Sequence, residues 1–391
     1  MVRLNNRKEK IRNILVPIIA VLLGFVLGGI IMAAFGYSPI TGYTQMFRTV
    51  FINGQTGGLN ARNIGEIFVT AGPLIFTALG FAVANSAGVF NIGLSGQALA
   101  GWVASIWVAL AMPDAPRLVV LPLAVIVGAL CGAIAAAIPG FLRAFFGTSE
   151  VIVTIMMNYI LLYTGNHLVN NVMSESMITT KGVTKMVGEN ASMQTPFLAS
   201  ITSNSRLNLG IFLALIFLVL VWFLMKKTTL GYEIRAVGLN PSASEYAGMS
   251  SKRTIIISMI ISGTLAGLGG VVQGLGTFEN FFVQGSSLSI GFDGMAVSLL
   301  GSGSSIGILL SALLFSILKL GGQGMQFAGI PSELVDVNIA IIIFFVAISF
   351  VIRFLLAKIF DGKKEALVVQ EIEAQPNDQD QEGGTIEWIL V

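Results

Sequence analysis

Phe90–Gln97 reads FNIGLSGQ and stands between two apolar stretches, 64–84 and 98–112. Asn91, Ser95 and Gln97 share these eight positions with two glycines. A soluble loop is not flanked so closely by apolar chain, and regular membrane helix does not need this polarity. In a bilayer, non-helical backbone survives only where protein or a water-filled cavity covers its N–H and C=O groups. Glycine permits an unwound turn, and short amide and hydroxyl side chains bond the backbone groups that a break releases. The stretch therefore reads as a broken helix in a membrane bundle, and such breaks mark transport paths. Tight packing with local amide hydrogen bonds is the alternative role for the same residues.

The rest of the chain agrees with a membrane setting. Of its 391 residues, 54% are apolar and 11% charged, with mean hydropathy +0.84. A soluble domain carries about 25% charged residues, so lipid is the main solvent. Continuous apolar runs of this length cross a bilayer as helices, whereas barrel strands alternate. The expected fold is an all-α polytopic membrane protein with about ten transmembrane helices, some broken. The crossings are predicted at 14–36, 64–84, 98–112, 117–140, 150–172, 207–225, 254–276, 290–301, 304–320 and 334–357.

Basic residues open the chain at 1–13, before an apolar run longer than a signal-peptide core. It reads as an uncleaved first span with its basic end in the cytoplasm. With that orientation, 15 of the 22 basic residues fall on inner segments and 7, including Arg206 and Lys319, on outer ones. Positive charge is expected inside, so both termini are placed on the cytoplasmic side of the membrane. The membrane body is 14–360, and 361–391 is an acidic tail of disorder-type composition. A net charge of +2 gives no argument for nucleic acid. One cysteine and one histidine supply neither a metal site nor a catalytic cluster.

A second broken unit is expected at 276–305, GTFENFFVQGSSLSIGFDGMAVSLLGSGSS. NIGLSGQALAG and SIGFDGMAVSLLG share a pattern, consistent with two related halves. Ionisable residues inside spans are costly in hydrocarbon. Of Glu66, Glu150, His167 and Asp293, the last is the best candidate for a path-facing acid. No chain of acids suits a proton-driven transporter. The glycines of 254–276 favour close helix packing.

Between the sixth and seventh spans, the loop 226–253 contains Asn240-Pro241, a helix start with Asn as N-cap and Pro in the first turn. A short helix is expected over 241–248, PSASEYAG, either as a plain connection or as a docking element. No phosphate-binding loop is present: GSGSSIG at 301–307 lacks the lysine. If ATP drives transport, another chain binds it.

Four stretches carry a family resemblance: AGVFNIGLSGQALAGW (87–102), GTSEVIVTIMMNYI (147–160), GYEIRAVGLNPSASEYAGM (231–249) and SIGFDGMAVSLLG (289–301). They resemble ABC-importer permeases of the ribose, branched-chain amino acid and nucleoside group, nearest the bacterial nucleoside type, over about residues 10–360. Family proteins often show Glu where Ser95 stands. The resemblance implies a second permease subunit, homologous or identical, cytosolic ATPase subunits, and an extracytoplasmic substrate-binding lipoprotein. It implies that Asn240, Pro241, Ala243, Glu245, Tyr246, Ala247 and Gly248 form the helix that couples to the ATPase. Asn91, Ser95, Gln97, Asn158, Phe278, Phe282 and Asp293 then border the path, where amides and aromatic faces suit a nucleoside. Alternatives are a ribose-like sugar, a branched-chain amino acid, or an ion-coupled secondary transporter.

Overall fold

The computed structural model describes residues 19–54 and 57–348. The basic start 1–13, the end of the last predicted span and the acidic tail lie outside the described residues. The chain divides into two compact units. Val21–Ala347 contains the helical bundle; the other, Met1–Ala20 with Ile348–Val391, lies almost wholly outside the described residues.

Helix dominates. In chain order the helices are α1 (Ile19–Ala34), α2 (Pro39–Phe51), α3 (Ala61–Ser86), α4 (Leu94–Ala111), α5 (Arg117–Phe146), α6 (Glu150–His167), α7 (Pro196–Ile201), α8 (Gly210–Lys227), α9 (Thr229–Leu239), α10 (Pro241–Tyr246), α11 (Ser251–Val271), α12 (Ser289–Leu300), α13 (Ser305–Phe327) and α14 (Ser332–Ala347). Each of the ten expected spans coincides with one of them. Among the described residues, seven helices are long and apolar enough to cross a bilayer, and α1 and α12 are shorter apolar helices. Three helices were not expected: α2, inside the predicted outer loop 37–63, α7, inside the predicted outer loop 173–206, and α9, directly before the predicted short helix.

Burial sorts the helices into a centre and a rim. In the most apolar stretch of α3, 89% of residues are buried, against 28% in α8. A helix apolar on every side is either enclosed or lipid-facing, and these two are the extremes. Around α3 pack α4, α8, α11, α12 and α13, and the most extensive pairing is α5 with α11. Glycine makes that pairing possible. A side chain on Gly132 would collide with the Gly263 carbonyl, and one on Gly101 of α4 would collide with the backbone of Gly267. Small residues thus bring three helices to backbone contact, as the sequence pattern predicts.

Two helices end in π-helical turns, Leu168–Val172 after α6 and Val272–Phe278 after α11. The long loop 173–206 packs against the second. It contains a hairpin of β1 (Ile178–Thr180) and β2 (Val183–Thr184). The Val187 amide donates to the Glu279 carbonyl at 2.7 Å and the Met193 amide to the Leu275 carbonyl at 2.9 Å. Arg117 and Asn190 add bonds to backbone carbonyls, Arg117 to Ser192 at 2.9 Å and Asn190 to Ala115 at 3.0 Å. The loop is therefore a fixed cap rather than a slack connection.

Candidate functional site: the broken helices and the connecting helix

Chain leaves α3 at Ser86, turns at Gly88 (φ +75°) against Gly238, and re-enters the bundle as α4 only at Leu94. A helix that begins inside a membrane has unpaired N–H groups and no water to bond them. The polar residues of FNIGLSGQ meet that need. The Asn91 Oδ1 accepts from the Gly93 amide at 2.9 Å, and Asn158 Oδ1, from α6, accepts from the Gly96 amide at 2.8 Å. Asn158 also donates to the Ile92 carbonyl at 3.0 Å. Thr154 Oγ1 accepts from the Ile92 amide at 3.3 Å. Asn91 and Gln97 exchange amide bonds at 3.0 and 3.2 Å, and Asn91 donates to Ser262 Oγ at 2.9 Å. Asn91, Ser95, Gln97 and Asn158 are 0–3% exposed. In this conformation all four are enclosed, and their hydrogen bonds go to protein, which is the packing alternative raised from the sequence.

Ser95 joins the two halves. Its hydroxyl donates to the Leu288 carbonyl at 2.7 Å, and a side chain on Gly291 would collide with Ser95. The starts of α4 and α12 therefore meet inside the bundle. The matching isoleucines are treated alike: the Ile92 carbonyl takes the Asn158 amide, and the Ile290 carbonyl takes the Thr77 hydroxyl at 3.1 Å. Thr77, Thr154 and Ser262 have no mark in the sequence, because a lone hydroxyl in an apolar helix usually bonds its own backbone.

Asp293 has a different setting. It forms an ion pair with Lys319 of α13. The charge count grouped Lys319 with the outer segments, at the end of the predicted span 304–320; α13 extends to Phe327 and contains it. Glu66 likewise pairs with Arg206, Nη2 to Oε2 at 2.8 Å, and Glu150 with Arg143 at 3.3 Å. Each of these three carboxylates is thus neutralised by a cation, as the cost of an unpaired charge requires. Phe278, Asp293 and Lys319 line a cavity of about 300 Å³, with Gln273, Thr277 and Arg206. The Gln273 Oε1 is enclosed and has no hydrogen-bond partner among the described residues.

Phe278 and Phe282 belong to an aromatic cluster around Trp102. The Trp102 ring stacks on Phe278 at 5.2 Å and 14°, with Phe281 and Phe282 edge-on at 5.1 and 5.5 Å. The indole N–H donates to the Asn280 carbonyl at 2.9 Å. Trp102 was not singled out from the sequence because tryptophan in an apolar run reads as core.

The connecting helix forms as predicted. Asn240 Oδ1 accepts from the Ala243 amide at 3.0 Å, Pro241 begins α10, and Gly248 closes the turn at φ +84°. Pro241, Ala243, Glu245, Tyr246, Ala247 and Gly248 are exposed, Tyr246 at 96%, while Ser244 is buried and anchors the helix. A rigid peg of exposed side chains results.

A polytopic helical bundle with helices broken at its centre and an exposed helix between two spans is the architecture of a membrane permease. Residues 63–351 match the family described as branched-chain amino acid transport system / permease component, and the chain belongs to that family. It is 54% identical to the nucleoside ABC transporter permease protein NupB of Lactococcus lactis, over 90% of this chain and 95% of that protein. It is 45% identical to the guanosine ABC transporter permease protein NupP of Bacillus subtilis, over 90% of this chain and 98% of that one. Identity to the glucose ABC transporter permease protein TsgB13 of Haloferax volcanii is 29%, over 85% and 87%. No solved structure matches the chain.

Proposed function

We propose that this permease imports nucleosides across the bacterial cytoplasmic membrane, driven by ATP hydrolysis on separate cytosolic subunits and fed by an extracytoplasmic binding lipoprotein. The observation that carries the reading is similarity along nearly the whole chain to two permeases named for nucleoside or guanosine transport. The exposed peg α10 supplies a surface for an ATPase subunit. Arg143, Lys226, Lys227, Lys252 and Arg253 lie at the ends of spans on α10's side of the bundle, which suits a cytoplasmic face. At the cavity beside α12, Phe278 offers a ring face and Gln273 a free acceptor for a base or ribose. Asn91, Ser95, Gln97 and Asn158 hold the neighbouring break in shape.

The test is uptake of labelled guanosine by cells that express this chain with its ATPase and lipoprotein. Nucleosides, but not ribose or leucine, should compete. Ala247→Asp should abolish uptake at normal membrane levels by disrupting the docking face. Competition by ribose would move the substrate to sugars, a reading with some support in the glucose permease relative. Uptake without the ATPase that collapses with the ion gradient would overturn the mechanism.

A further inference from the structure

A second cavity, of about 640 Å³, lies at the same end of the bundle as α9 and α10. Its walls come from the ends of α3 and α12, the last turns of α8, the middle of α9 and the start of α13. Two cations line it, Lys226 and Arg235, and no carboxylate does. Neither cation forms an ion pair among the described residues, although Glu66, Glu150 and Asp293 each have one. The Arg235 Nη1 is enclosed and has no hydrogen-bond partner among the described residues. A guanidinium N–H shut away without an acceptor is unfavourable, so the cavity suits an anion. Donors are already present beside it: Ser302 and Ser305 line the cavity where α13, 23 residues long, begins, while Ser304, also in the lining, caps that helix, donating to the Gly301 carbonyl at 2.8 Å and accepting from the Gly307 amide at 3.2 Å. A helix of that length presents free N–H groups and positive potential at its start.

The rim has the opposite character. Trp222, Leu299 and Ile306 line the cavity and are 47%, 41% and 72% exposed. Trp222 belongs to α8, whose surface is mostly exposed and apolar, and therefore lipid-facing. A cationic end joined to an apolar, bilayer-facing rim is the chemistry of a phospholipid, and basic pockets between helices on the cytoplasmic side bind anionic headgroups. A soluble phosphate would leave the apolar rim unused.

We propose that this cavity binds an anionic phospholipid. Its phosphate takes hydrogen bonds from Arg235, Lys226 and the start of α13, and an acyl chain lies along Trp222, Leu299 and Ile306. The bound lipid bridges α9, which leads into α10, to the end of the broken helix α12. This depends on α8 facing lipid, not on the identity of the solute.

The experiment uses the purified full chain in detergent, with bound lipids counted by native mass spectrometry. Phosphatidylglycerol should bind in preference to phosphatidylcholine. Arg235→Gln should weaken phosphatidylglycerol by about tenfold, the worth of one charge-assisted hydrogen bond. Ser305→Asp should do the same by giving Arg235 an internal acceptor, and an acid in the first turn favours helix α13, so folding is retained. Equal binding of the two lipids by the wild type, or an unchanged preference in both variants, overturns the proposal. Displacement of phosphatidylglycerol by millimolar inorganic phosphate or ATP would make the ligand a soluble phosphate and refute the lipid assignment.

Discussion

Asn158 uses both ends of its amide on one break, accepting from the Gly96 N–H and donating to the Ile92 carbonyl. Replacing it with leucine leaves a buried donor and a buried acceptor unpaired, at about 1–3 kcal/mol each. Asn158→Leu should therefore unfold at lower temperature in detergent, by about 2 kcal/mol or more, and Asn91→Leu should behave similarly. A variant with wild-type melting but reduced uptake would return these residues to solute contact. Their polarity could be read from the sequence, because polar chain between apolar runs has few roles. Which role they take could not, since the cap for Gly96 comes from a residue 62 positions away. Side chains that share no local pattern are brought together only by packing.

Among the elements, the link between α12 and α13 is the Asp293–Lys319 pair. The carboxylate side chain is 14% exposed and the lysine 32%. Removing one partner strands the other charge in a low-dielectric site. Lys319→Met should lose about 1–3 kcal/mol, discounted for partial solvation, and Lys319→Met with Asp293→Asn should recover most of it. Thermal unfolding of the two variants measures this; equal losses would show that the pair is not coupled. Helix positions were legible because most apolar runs have a length matched to the bilayer. Lys319 was counted with the outer charges because span ends are soft in sequence and a snorkelling lysine resembles a loop residue; its bond to Asp293 comes from packing. Helices α2 and α9 were missed for a related reason: they are amphipathic rather than uniformly apolar, so a search for spans passes over them.

On the scale of the whole molecule, α6 and α8 are the least enclosed of the long apolar helices, each with 28% of its most apolar stretch buried, and they differ in what they expose. The open face of α8 carries Val219, Leu220 and Phe223, which suit acyl chains. That of α6 carries Met156, Tyr159 and Tyr163, the two tyrosines at 54% and 68% exposure. A phenol hydroxyl in hydrocarbon lacks a partner, so the α6 face suits a second permease or a wet path. In a Cys131→Ala background, Tyr163→Cys should cross-link to the second permease subunit of the assembled transporter, while Leu220→Cys should not. Cross-linking through α8 alone would reverse that assignment.

The sequence by itself determined the solvent, the helical class, the approximate positions of the helices and the existence of the breaks. Those follow from composition and from local rules of hydrogen bonding that act over a few residues. The tertiary structure alone decided that α4 and α12 begin against each other, that Glu66, Glu150 and Asp293 have cationic partners, and that Arg235 has no carboxylate partner among the described residues. These depend on which residues distant in sequence become neighbours, and hydrophobicity, being non-directional, does not specify neighbours. Close glycine contacts and paired charges do, and they become visible only once the helices are packed.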